Sequence, residues 1–212
     1  MIDRLMKDTN IPAQFRQVSF ADYDPSHHRG AKNVLRRVED WDPTDSKPNL
    51  VLQGAPNRGK TMLASALCND YHEGYRPSKP LPGSAMQALL QQKCPLYFIQ
   101  LAELITLHLR NFQLRRDVEA GIREPTEYLE LDQLLEDLKF RVQVLVIDDV
   151  GKEHRTASGF AQDEFDLLVR TRYNAGLTTI YTTNLPVRRW SAEYSDSMQS
   201  LIGRSSLVLD FV

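Results

Sequence analysis

The chain has only two cysteines in 212 residues, Cys68 and Cys94, and neither has a cysteine or histidine partner at ligand spacing. That excludes a disulfide framework, argues against a zinc site, and fits reduced thiols in a cytoplasmic protein. Charge of one sign is also missing. With 26 Lys and Arg against 28 Asp and Glu, the net charge is -2, so no global field draws the chain onto nucleic acid. Any such contact must come from a local patch. No apolar run approaches membrane-spanning length, and Met1-Ile-Asp-Arg-Leu-Met-Lys7 lacks the apolar core of a signal peptide. A cytoplasmic protein without membrane contact is the expectation. His27, His28, His72, His108 and His154 are scattered, and none takes a catalytic role. Internal repeats and low-complexity tracts are absent. What remains, 42% hydrophobic and 25% charged residues, is ordinary for one soluble globular domain.

Against that background one stretch stands out. Gly54-Ala55-Pro56-Asn57-Arg58-Gly59-Lys60-Thr61 fits G-x-x-x-x-G-K-[ST]. Leu50-Val51-Leu52 before it reads as a buried strand, and Met62 to Cys68 after it reads as a helix, which is the context this pattern requires. The two glycines let the backbone turn tightly, so that N–H groups converge on phosphate oxygens at a helix N-terminus. Lys60 is then expected to reach the β- and γ-phosphates, and the Thr61 hydroxyl to sit on Mg²⁺. The plainer reading, a chance glycine turn beside a lysine, does not account for the flanking strand and helix.

Elsewhere strands alternate with helices. Residues 1–30 form an arm with turns at Ile11-Pro12 and Tyr23-Asp24-Pro25, which Phe15, Val18, Phe20 and Tyr23 could pin to a domain covering 31–212. Ala31, Val34, Leu35, Val38 and Trp41 recur at helical spacing. The pattern predicts a loop over Gly74 to Gly83, a short helix over Ser84 to Lys93 and a strand over Pro95 to Leu101. Helices are predicted over Leu101 to Leu114 and Glu127 to Phe140, separated by a charged span. There follow a strand over Val142 to Ile147 and a helix over Phe160 to Tyr173. A strand over Thr178 to Thr183, a helix over Asp196 to Gly203 and a last strand over Leu207 to Phe211 close the chain. Such alternation argues for an α/β fold with a five-stranded parallel sheet sandwiched between helices. Ligands of such sheets bind beyond the carboxyl ends of the strands.

Three strand ends carry polar groups. Asp148 and Asp149 close the third strand; Asp148 suits Mg²⁺ and Asp149 suits an attacking water, whereas a plain Asp pair would only cap a loop. Asn184 follows the fourth strand, where an amide can bond both a γ-phosphate and the water, or merely form a turn before Leu185-Pro186. Arg204 precedes the fifth; it either faces a neighbouring subunit's γ-phosphate or interacts with its own helix dipole. Finally, Arg110, Arg115, Arg116 and Arg123 surround Phe112, which suits single-stranded nucleic acid, although Asp117, Glu119 and Glu124 would equally make this a solvated helix face.

Gly54–Thr61, Ile147-Asp-Asp-Val-Gly151, Arg172-Tyr173 and Thr182-Thr-Asn-Leu-Pro186 resemble the AAA+ ATPases of the DnaC/DnaI helicase-loader and IstB transposition-helper group. Ile11-Pro-Ala-Gln-Phe-Arg16 and Phe20-Ala-Asp-Tyr23 are similar to the segment before the core in that group. The resemblance implies an AAA+ P-loop core, here without a C-terminal helical lid. Residues 54–62, with Gly54, Ala55, Pro56, Asn57, Arg58, Gly59, Lys60, Thr61 and Met62, become the Walker A site, and Asp148 and Asp149 the Walker B site. Asn184 falls in the sensor I slot and Arg204 near the arginine finger. It further implies ATP and Mg²⁺ as cofactors, ATP hydrolysis and assembly into oligomers. The implied partner is a DnaB-type replicative helicase or a transposase, with single-stranded DNA as a further contact. A small P-loop kinase is the rival from another class, and its lid would need basic residues where only Lys152 and Arg155 stand.

Overall fold

Period-two alternation inside uniformly apolar strands requires cover on both faces of the sheet, and the computed structural model has it. The structure describes residues 9–26, 28–74 (side chains through 70), 96–151 and 159–212. The expected loop beyond Gly74, the expected helix at 84–93, and Cys94, Lys152 and Arg155 lie outside those residues.

Helix α1 (Ala31–Glu39) precedes β1 (Asn49–Gly54), and α2 (Lys60–Gly74) follows it; β2 (Leu96–Gln100) runs into α3 (Leu101–Glu119) and α4 (Thr126–Phe140). Then come β3 (Val144–Val150), α5 (Phe160–Asn174), β4 (Thr178–Thr183), the short α6 (Trp190–Glu193), α7 (Asp196–Ser205) and β5 (Ser206–Phe211). The strands form one five-stranded sheet in the order β2-β3-β4-β1-β5, every pairing parallel. Alternate residues feed two cores. Leu50, Leu52, Phe98, Val146 and Ile180 meet α1, α2 and the arm, while Val51, Ile99, Leu145, Ile147 and Tyr181 meet α3, α4, α5 and α7. The arm is stitched across the first face. Phe98 N–H donates to the Thr9 carbonyl at 2.9 Å on the β2 edge, and Ile11 and Tyr23 are buried in the same core as β1. Among the described residues no helix is long and apolar enough to cross a membrane.

Several bounds differ from the sequence reading: β3 starts at Val144 and runs through Asp148 and Asp149 to Val150, and two further differences have clear causes. Helix α3 continues through the charged span to Glu119, because its side chains pair along the helix: Arg115 with Glu119 as an ion pair at 2.9 Å, and Gln113 donating to Asp117 at 2.7 Å. Charge density alone did not stop it. The segment after Pro186 holds a 3₁₀ turn (Val187–Arg189) and α6, neither of which shows as periodicity, since one side chain, the fully buried Trp190, fixes both.

Arg172 on α5 is fully buried and acts as a staple. Its guanidinium donates to the carbonyls of Leu138 (2.5 Å), Val142 (2.9 Å), Gln143 (3.4 Å) and Thr178 (2.6 Å), and to Thr179 Oγ1 (3.0 Å). It therefore ties the end of α4 to the starts of β3 and β4. Burial pushes its pKa down to about 9, which leaves it cationic at neutral pH. Arg172→Met is expected to lower unfolding stability by about 3 kcal/mol, because several buried carbonyls lose their donor. Arg172→Lys should recover little of it, since one ammonium cannot span the same acceptors. Urea denaturation of the three proteins at pH 7 measures this.

A second buried polar contact joins α3 to α5, where His108 Nδ1 meets Glu164 Oε2 at 3.0 Å. Burial, with Lys139 adding to it, pushes His108 down to about 4, and burial raises the Glu164 carboxyl. At neutral pH the contact is thus a neutral imidazole N–H donating to the carboxylate. An unfolded chain takes up the imidazole proton near pH 6.5, so the stability linked to His108 is intact above that pH and lost as pH falls toward 4. Glu164 works in the opposite sense, because protonating a carboxyl of raised pKa relieves its burial. His108→Gln is expected to flatten the fall in thermal midpoint between about pH 7 and pH 5. An unchanged pH slope would exclude His108 as the group responsible.

Candidate active site

The loop between β1 and α2 is packed closely against its neighbours at both of its glycines. At Gly54, φ is 141° and an added Cβ would lie 2.3 Å from the Phe211 carbonyl oxygen, so β5 leaves no room for a side chain. At Gly59, φ is 83° and a Cβ would lie 2.6 Å from the Tyr23 ring. Asn57 also takes a positive φ of 58°. Three left-handed positions curl the loop, and α2 starts at Lys60, with Leu63 N–H donating to the Gly59 carbonyl at 2.9 Å. The Lys60 ammonium is largely buried and donates to the carbonyls of Gly54 (2.8 Å) and Ala55 (2.7 Å).

Opposite the loop stands the tip of β3. Thr61 Oγ1 donates to Asp148 Oδ1 at 2.9 Å, joining two hard oxygen donors of the kind Mg²⁺ prefers. Among the described residues no group of three or more His, Cys, Asp or Glu could hold a metal. Asp149 would point away from its neighbour in a regular strand. The strand is not regular. Register with β4 runs to Ile147↔Tyr181 and resumes at Val150↔Thr183, so Asp148 and Asp149 together face Thr182 alone. This is a bulge, with Asp149 at φ 59°.

A cleft of about 250 Å³ is lined by residues 56–62, by Asp149 and Asn184 across from them, and by Phe15 from the arm. The sequence-derived residues thus converge, Gly54 and Ala55 through the Lys60 contacts and Asp148 through Thr61. Arg204 does not line the cleft; it is exposed, with its guanidinium 5.7 Å over the Tyr173 ring. The basic span is largely neutralised within the α3–α4 hairpin. Arg110 pairs with Glu127, Arg115 with Glu119 at 2.9 Å, and Arg123 with Glu127 at 3.1 Å and Asp117 at 3.4 Å. Arg116 lies 6.0 Å over the Phe112 ring.

Sequence reasoning missed two supports. Tyr23 not only pins the arm: its hydroxyl lies 2.8 Å from His28 Nε2 and 3.3 Å from the Arg58 carbonyl, with its ring over Gly59. Burial raises the phenol's pKa, so it stays a neutral donor. Gln53, one residue before the loop, accepts from Val187 N–H at 2.7 Å and donates to Asp210 at 2.6 Å, linking β1 to β5 and to the segment after Asn184. A glutamine at the end of an apolar strand was the available signal.

No protein-family model and no curated protein sequence matches the chain. Solved structures do. DnaI is similar at 18% identity over 95% of this chain and 94% of that one, with a TM-score of 0.62. The DnaC helicase loader is similar at 22% identity over 94% and 99%, with a TM-score of 0.60. The shared fold is the five-stranded parallel sheet flanked by helices. AMPPCP-bound DnaA from Aquifex aeolicus shares it at 15% identity, over 96% of this chain and 51% of that one, with a TM-score of 0.56. Identities this low carry architecture and not activity, which has to be argued from the site.

Gly59→Ala is expected to lower unfolding stability by more than about 1 kcal/mol, since the residue must keep a left-handed φ while displacing Tyr23. Adding Tyr23→Ala should relieve the steric part of that loss and not the backbone part. Urea denaturation of the wild type and of both variants measures this.

Proposed function

We propose that this chain is an ATP-binding and ATP-hydrolysing AAA+ protein that serves as a helicase loader in the initiation of DNA replication. The observation that carries the ATPase reading is the Thr61–Asp148 contact beside the bulged Asp149, with Asn184 lining the same cleft. In this reading the loop N–H groups and the Lys60 ammonium bind the β- and γ-phosphates. Thr61 and Asp148 would hold Mg²⁺, which when bound offsets phosphate charge. Asp149 orients the attacking water and accepts its proton, and the Asn184 amide donates to the γ-phosphate or to that water. This arrangement suits water as the acceptor, which favours an ATPase over a small-molecule kinase.

The loader part rests on fold similarity over nearly the whole chain to DnaI and to the DnaC helicase loader. The partner would be a DnaB-type hexameric helicase, engaged by an ATP-bound oligomer in which Arg204 of one copy faces the next copy's nucleotide. The exposure of Arg204 supports that role. Single-stranded DNA is the weaker part of the reading, because most arginines of the α3–α4 hairpin are already paired to carboxylates.

Asp149→Asn is expected to lower ATP turnover by about 100-fold while leaving ATP affinity within a few-fold of wild type. Used as bait with ATP, it should retain a replicative helicase, and Lys60→Ala should abolish the retention. Retention of a transposase instead would identify a transposition helper. A monomer that retains neither, and phosphorylates a small acceptor, would establish the kinase.

A further inference from the structure

We propose that Thr182 is a positioning residue whose one hydroxyl sets both carboxylates of the site; this rests on the ATPase reading of Asp148 and Asp149. The bulge creates the need. Two residues of β3 face one of β4, so the Asp149 N–H falls out of step with the ladder of strand hydrogen bonds. Thr182 Oγ1 accepts that N–H at 3.0 Å and donates its own proton to Asp148 Oδ1 at 2.5 Å. A hydroxyl is a donor and an acceptor at once, and here it uses both capacities on neighbouring residues. Thr182 is completely buried and Asp148 nearly so, which keeps water from substituting for either bond.

The next threonine closes the other side. Thr183 Oγ1 donates to the Val150 carbonyl at 2.6 Å, where register resumes, and accepts Leu185 N–H at 2.9 Å. Asn184 lies between the two ends of that bond. The threonine pair thus links the backbone on either side of Asn184 to the bulge that carries Asp149. Thr179, at the other end of the same strand, shows what a merely structural threonine does there: its hydroxyl receives the Arg172 guanidinium, away from the cleft. Thr182 differs in that both its partners belong to the site.

Thr182→Val keeps shape and strand preference while deleting the hydroxyl. In nucleotide-free protein, amide exchange followed by NMR should show the Asp149 N–H protected in wild type and in Thr182→Ser, and exchanging about tenfold faster or more in Thr182→Val. In turnover, Thr182→Val should lower kcat by about 10- to 100-fold with KM for ATP changed by less than about threefold, and Thr182→Ser should restore most of it. Should Thr182→Val not fold, Thr182→Cys, similar in size with a weak donor, takes its place. Unchanged exchange at Asp149, or a loss confined to KM, overturns the proposal. A wild type without turnover would instead count against the ATPase reading, and the exchange measurement would still decide whether Thr182 holds the bulge.

Discussion

Every strand here is parallel, and a parallel sheet has to be covered on both faces. That constraint organises the molecule. Each strand must be followed by a return across one face or the other, so all five strands end at the same side. The loop after β1, the tip of β3 and the amide after β4 are thus gathered at one edge of the sheet. With β1 between β4 and β5, the loop is flanked by the β4 tip on one side and by Phe211 of β5 on the other. Phe211 leaves Gly54 no space for a side chain, and Tyr23 leaves none at Gly59. The loop's two glycines answer to packing as well as to phosphate.

The sheet, the helices that cover it and the loop were legible because their signals are local. Strands such as Leu50-Val51-Leu52 and Val144 to Ile147 are apolar throughout, and Gly54–Thr61 carries its geometry in its own residue types. Asp148, Asp149 and Asn184 could be placed because they end strands. The arm was not legible in the same way. Phe15 and Tyr23 look like anchors in the sequence, but nothing local says that one lines the cleft and the other sits over Gly59. That depends on residues about 35 to 45 positions away.

The bulge in β3 escaped for a related reason. Asp148-Asp149 reads as a polar strand end, and alternation would send the two side chains to opposite faces. What brings Asp149 into the cleft is a left-handed residue stabilised from β4, and the information sits in Thr182, 33 positions downstream. The continuation of α3 was missed for the opposite cause, an overread signal. A charge-dense span suggests a loop, but charges four residues apart support a helix when their signs match up as Arg115 and Glu119 do.

The same pairing bears on what the α3–α4 hairpin can do. A cation contributes to nucleic-acid affinity by neutralising phosphate and releasing counterions. An arginine already bonded to a carboxylate must give up that partner first, and the carboxylate then faces the incoming phosphate. Arg110, Arg115 and Arg123 are in this position, whereas Arg116 lies over Phe112. Sequence composition counts four arginines around an aromatic; the geometry leaves one of the four stacked on the ring and the others engaged. The hairpin carries more Asp and Glu than Lys and Arg, and it also exposes Leu109 and Phe112. Such a face suits a protein contact better than a phosphate backbone.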